Sequence, residues 1–115
     1  NVNININFSN GVNGVCQTSW LYPSKKRDLS LLTSSHLIEV DYMNQQISLT
    51  SHLDSSVENI KLDFKEPLLS ELEDFLSSIL EKRNPKTTVY DGSSAVMLAE
   101  ACKKSIETES VIKFN

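Results

Sequence analysis

The 115-residue sequence predicts an α+β fold, a predominantly antiparallel open sheet of about six to seven strands with two helices packed on one face. Three observations carry this. The first half alternates apolar and polar residues in short runs separated by turn-forming residues. The stretch from Glu66 to Leu80 repeats Leu68, Leu69, Leu72, Phe75, Leu76, Ile79 and Leu80 at helical spacing, and a narrower stripe of small residues follows it. With 39% hydrophobic and 23% charged residues, the composition is that of one globular domain, residues 1–115, neither disordered nor fibrous.

Taken in order, Asn1 to Phe8 sets Asn against Val2, Ile4, Ile6 and Phe8, the pattern of a half-buried strand. Ser9-Asn10-Gly11 supplies a tight reversal into a second strand, Val12 to Leu21, with Asn13-Gly14 as an alternative turn or bulge. Tyr22-Pro23-Ser24-Lys25-Lys26 interrupts the pattern, because proline cannot donate to a ladder, and a third strand runs from Asp28 to Thr33. His36 to Tyr42 and Gln46 to Thr50 give strands four and five around a turn at Met43-Asn44-Gln45. Ser51 to Ser56 is polar loop, and Ile60, Leu62 and Phe64 mark a sixth strand. Glu66 and Pro67 suit a helix start, through the positive end of the dipole and a first position that needs no donor. Lys82-Arg83-Asn84-Pro85 closes that helix, and Asp91 or Ser93 caps a second one carrying Ala95, Leu98, Ala99, Cys102 and Ile106. Val111 to Phe114 suits a final strand. Helices on one face leave the other open, with alternate residues such as Cys16, Thr18 and Trp20 or Val15, Ser19 and Leu21 displayed there, and a part-apolar open face favours a second copy of the chain.

Charge and cysteine usage narrow the function classes. The formal net charge is -4, and the basic residues form no long stripe that could follow a phosphate backbone, so nucleic acid is not an expected partner. No apolar run approaches the roughly 20 residues that span a bilayer. Cys16 and Cys102 form neither a CxxC pair nor a disulfide framework, so a reducing, cytoplasmic setting is expected. The chain enters a strand pattern directly at Asn1 without an initiator methionine, as a piece of a longer protein would.

Chemistry-bearing residues are few. His36 and His52 lack a Cys or carboxylate at metal-ligand spacing, no GxSxG elbow surrounds any serine, and three glycines form no phosphate-cradling loop. Asp41 and Asp63 read as solvated strand residues. No metal site is expected. The exception is Trp20 to Arg27, which concentrates two aromatics, a rigid turn and three cations at one strand connection, and those groups can hold an anionic or sugar ligand. The plainer reading is a half-buried Trp20 anchoring a solvated basic turn.

The order FSNGVNG, SW followed by LYPSKKRDL, EVDY, EPLLSELEDFL and DGSSAVMLAEACKKS resembles the C-terminal domain of the glucose-fructose oxidoreductase, inositol dehydrogenase and MocA family over nearly the whole chain. The resemblance implies an NAD(P)-dependent oxidoreductase whose N-terminal Rossmann domain, outside this chain, binds NAD or NADP. The present domain would then complete the pocket for a sugar or cyclitol and assemble a homo-oligomer through its open sheet. The family's cofactor glycines, its Glu-Lys-Pro lysine and its acid-base Asp and His all precede such a domain, so the resemblance implies no catalytic and no cofactor-binding residue here, and no activity for the chain alone. Trp20, Leu21, Pro23, Lys25 and Arg27 meet a WLxP-x-K-x-R form that looks like members acting on nucleotide-linked amino sugars. It makes Trp20, Lys25 and Arg27 the candidate substrate-binding residues, with a subunit contact as the other role for the two cations. The alternative from another class is a stand-alone, non-catalytic module that dimerises or binds a small ligand.

Overall fold

The computed structural model describes residues 1–113 of the chain, and it is α+β. Six antiparallel strands, β1 (Val2–Asn7), β2 (Asn13–Thr18), β3 (Asp28–Leu32), β4 (His36–Asp41), β5 (Gln46–Ser51) and β6 (Val57–Ile60), precede two helices, α1 (Pro67–Glu81) and α2 (Val89–Thr108). The strands divide into a two-stranded sheet, β1-β2, and a four-stranded one in the order β3-β4-β5-β6, where alternation alone predicts one sheet. The division falls at the nine residues between Thr18 and Asp28, where Pro23 removes a ladder donor and β2 ends three residues short of its expected limit at Leu21. The displayed residues that the sequence assigns to β2 therefore belong to the small sheet or to the connection, not to the large one. Two compact units result, Asn1–Asn3 with Gln17–Lys65, and Ile4–Cys16 with Glu66 onward.

In the first unit the four-stranded sheet is a meander whose register sorts the side chains by face. Residues directly opposite one another share a face. Leu29, Val40, Ile47 and Ile60 form one cross-strand row, and Leu31, Ile38 and Leu49 form the next, closed by Glu58. The opposite face carries Asp28, Asp41 and Gln46 in one row and Ser30, Glu39, Ser48 and Asn59 in another, with Leu32, Leu37, Thr50 and Val57 at its far end. One face is thus apolar and one largely polar. On the apolar face the central Ile38, Val40, Ile47 and Leu49 are half-buried, while Leu29, Leu31 and Ile60 on the edge strands are exposed.

The turns of this unit are built by side chains that accept from their own loops. Thr33 Oγ1 accepts from His36 N–H at 2.9 Å between β3 and β4. Asp41 Oδ1 accepts from Met43 N–H at 2.8 Å and Asn44 N–H at 3.0 Å before β5, and Asp54 Oδ1 accepts from Ser56 N–H at 3.1 Å before β6. Asp41, the last residue of β4, is therefore also a turn-forming group, a role the sequence reading did not give it. The β5-β6 reversal is tight, with Ser51 N–H on Ser56 C=O at 2.9 Å and Ser55 left-handed at φ 57°, so β6 starts at Val57, before the alternation at Ile60, Leu62 and Phe64. The β5-β6 pairing stops at Ile47 and Ile60, and the Gln45 amide, just before β5, holds the chain further on. Its Nε2 donates to the Lys65 carbonyl at 2.7 Å, and Lys65 N–H donates to its Oε1 at 3.1 Å.

In the second unit the β1-β2 hairpin reverses as Ser9-Asn10-Gly11 predicts. Gly11 has φ +87°, Phe8 N–H reaches Val12 C=O at 2.9 Å, and Asn10 Oδ1 accepts from Val12 N–H at 3.1 Å. Helix α1 begins where expected, with Glu66 as N-cap accepting from Leu69 N–H and Pro67 in the first position. It ends at Lys82, left-handed at φ 53°, with Arg83 N–H on Ser78 C=O at 3.0 Å. Arg83 then turns back to Asp74 at 2.9 Å and Glu81 at 2.7 Å, and Asp74 also accepts from Lys86 N–H at 2.7 Å. Helix α2 starts earlier than Asp91. Thr88 is its N-cap and Asp91 its third residue, and their side chains cap each other's backbone, a Thr-x-x-Asp capping box that explains the earlier start.

The α1 stripe is uncovered. Leu68, Leu69, Leu72, Phe75, Leu76, Ile79 and Leu80 are all exposed, whereas Ser78, on the polar side, retains only 4% of its surface. No hydrophobic side chain among the described residues is fully buried. Val111 to Lys113 carry no strand, and Phe114, the end of the expected final strand, lies outside the described residues.

Candidate functional site

The connection from β2 to β3 lies in the first unit and leads directly into the edge of its sheet. Ser19 Oγ accepts from Leu21 N–H at 3.0 Å, a local turn that places Trp20 at the bend. Trp20 is 99% exposed, which removes the reading of a half-buried anchor. Leu21 and Tyr22 beside it are exposed as well. A tryptophan this open offers an uncovered aromatic face for stacking or for the apolar side of a sugar ring.

Past the bend at Pro23 and Ser24 the chain leads into β3, and the three cations part company. Lys26 Nζ pairs with Asp28 Oδ2 at 2.8 Å, and this contact, first as a hydrogen bond and then as a charge, pushes the Lys26 ammonium above its ordinary range. Asp28 stands directly opposite Asp41 in the β3-β4 register. The Asp41 carboxylate is held below its ordinary range mainly by Asn44, whose Nδ2 donates at 2.7 Å, with a smaller contribution from the Lys26 charge. Lys26, Asp28 and Asp41 thus form one cluster on the polar side of the sheet, in which Lys26 is taken up by Asp28.

Lys25 and Arg27 are left over. Among the described residues neither side chain has an ion pair or a hydrogen-bond partner. The Arg27 backbone is fixed nonetheless, because its carbonyl accepts from Tyr42 N–H at 3.0 Å and extends the β3-β4 ladder by one rung beyond Asp28 and Asp41. That rung puts Arg27 opposite Tyr42, at the end of the apolar face, with the Lys26-Asp28 pair on the other side of the strand. Tyr42, 55% exposed, is a neighbour that sequence reasoning did not single out, and the signal for it was its place one residue beyond the end of β4.

The corner accordingly offers two uncompensated positive charges two residues apart, a guanidinium able to grip an oxyanion in bidentate fashion, a phenol beside it and an open indole in the same connection. It can dock an anion carried on a ring. The glycines lie in the β1-β2 turn (Gly11), in β2 (Gly14) and in the first turn of α2 (Gly92). His36 Nδ1 lies 2.9 Å from Ser35 Oγ in the β3-β4 turn. Among the described residues no helix is long and apolar enough to cross a membrane. No family model, curated protein or solved structure matches the chain.

Proposed function

We propose that the chain is the substrate-binding and oligomerisation domain of an NAD(P)-dependent oxidoreductase that resembles the glucose-fructose oxidoreductase, inositol dehydrogenase and MocA family and acts on a sugar, cyclitol or nucleotide sugar in the cytoplasm. The observation that carries it is the pair of unpaired cations, Lys25 and Arg27, in the same connection as the open Trp20, the residues that meet the WLxP-x-K-x-R form. In this reading Arg27 and Lys25 hold the charged part of the substrate and Trp20 covers its ring. Hydride transfer and NAD(P) binding belong to a Rossmann domain outside the chain. The apolar face of the four-stranded sheet, Leu29, Leu31, Ile38, Val40, Ile47, Leu49 and Ile60, supports assembly with a second copy.

The test is kinetic. In the full-length enzyme, Arg27→Ala removes a charge-assisted contact of about 1.5–3 kcal/mol, so KM for a phosphorylated sugar rises about 10- to 100-fold while KM for NAD stays put. Equal effects on both, or none on either, remove Arg27 from the substrate site. The exposed apolar face also favours a second reading, a non-catalytic dimerisation module. That module dimerises through the sheet but gives no thermal stabilisation with sugar phosphates, whereas a ligand at 100 times its Kd adds about 2.7 kcal/mol.

A further inference from the structure

The arrangement around Lys26 has a role that the anion-binding reading does not require and that rests on it only for its consequence. Asp28 and Asp41 are directly opposed residues at the open end of the β3-β4 ladder. Two carboxylates so placed repel and destabilise the pairing. The next rung outward, and the last one of that ladder, is the Tyr42 N–H to Arg27 carbonyl bond at 3.0 Å. The only cation paired with either carboxylate among the described residues is Lys26, 2.8 Å from Asp28. Asp41 is engaged otherwise by Met43, Asn44 N–H and Asn44 Nδ2, which satisfy its oxygens without cancelling its charge.

We infer that Lys26 is a positioning residue for the ligand corner: by pairing with Asp28 it offsets the repulsion between the opposed Asp28 and Asp41, keeps the Arg27-Tyr42 rung closed, and so fixes the backbone from which Arg27 and Lys25 present their charges. The three consecutive cations thus have two functions. Lys25 and Arg27 meet the ligand; Lys26 holds the strand that carries them. Its pairing with Asp28 also keeps it from competing for the anion. The raised proton affinity of Lys26, caused first by Asp28 and with a smaller share from Asp41, agrees with a charge engaged by both carboxylates.

The experiment is a double-mutant cycle on the 115-residue chain with two readouts. Amide exchange at Tyr42 reads the rung without any ligand, and titration with inorganic pyrophosphate at low ionic strength reads the corner. Lys26→Gln is expected to speed Tyr42 exchange about threefold, the factor that an opposed like-charge pair imposes, and to weaken pyrophosphate binding. Adding Asp28→Asn to Lys26→Gln removes the repulsion and restores both. If Lys26 acted only as one more positive charge near the anion, Tyr42 exchange would not change in Lys26→Gln and Asp28→Asn would give the same affinity gain with or without Lys26; that result overturns the inference. A wild-type chain that binds no pyrophosphate overturns the anion-binding reading and with it the functional half of this role, while the Tyr42 exchange still decides the structural half.

Discussion

Replacing Gln45 by alanine isolates what holds the chain after the last strand. The Gln45 side chain makes two hydrogen bonds to the Lys65 backbone, at 2.7 and 3.1 Å, in the pattern that a neighbouring strand would supply. Both bonds are exposed to solvent, so each is worth about 0.5–1 kcal/mol, and Gln45→Ala should cost about 1–2 kcal/mol in total. Gln45 also sits in the left-handed region at φ 52°, a conformation that costs a residue with a side chain about 1 kcal/mol relative to glycine. Gln45→Gly therefore loses the same two bonds but recovers most of that cost, and its global stability should stay near wild type. Urea denaturation reads the global effect and amide exchange at Lys65 reads the clamp. The expected result is a lowered midpoint for Gln45→Ala only, with Lys65 protection reduced about 5- to 30-fold in both variants. Unchanged Lys65 exchange in Gln45→Ala would refute the clamp, and equal midpoints for alanine and glycine would refute the backbone argument.

Other outcomes are expected from the same structure. Asp41, Asp54, Asp74 and Asp91 are all held below their ordinary range, led respectively by Asn44, Ser56, the Lys86 N–H and Thr88. Their folded-state values lie below the unfolded ones, so the stability they add is present above about pH 4 and is lost as pH falls through the folded values; carboxyl NMR titration should show all four midpoints depressed, and ordinary midpoints would remove this source of acid lability. Asp91→Ala opens the Thr88 capping box and should cost about 1 kcal/mol with a loss of helical circular dichroism, and an unaltered spectrum and midpoint would argue against the box. Lys82→Gly relieves a left-handed residue at the end of α1 and should stabilise by about 0.5–1 kcal/mol in thermal unfolding, whereas destabilisation would mean that the Lys82 side chain matters more than its φ.

What the sequence made legible follows from which interactions are local. Strands β1 and β3 to β5 and the starts of β2 and α1 appear where alternation, Gly11 and the Glu66-Pro67 pair place them, because period and turn chemistry act over a few residues, whereas β2 stops three residues early. The sixth strand was displaced because its bounds depend on the length of β5 and on the Ser51-Ser56 reversal, neither of which Ile60, Leu62 and Phe64 encode. The start of α2 was misplaced because Asp91, a good N-cap by type, serves instead as the third residue of a box opened by Thr88. At the corner, residue types marked Trp20, Lys25 and Arg27, but nothing in the run Lys25-Lys26-Arg27 says which cation is already taken; that depends on Asp28 beside it and on Asp41 across the ladder. Trp20 shows the same limit from the other side, since its exposure depends on where β2 stops.

The β3-β4-β5-β6 order has a kinetic meaning. Every strand in that sheet pairs with its immediate successor in the chain through a short turn, so each pairing closes only a small loop. Topologies wired in this nearest-neighbour way form quickly, and their assembly does not wait for distant segments. The rung that seats Arg27 joins the first two strands of this series. The backbone that carries Arg27 therefore depends on a pairing between near neighbours in the chain, whose closure costs only the entropy of a small loop.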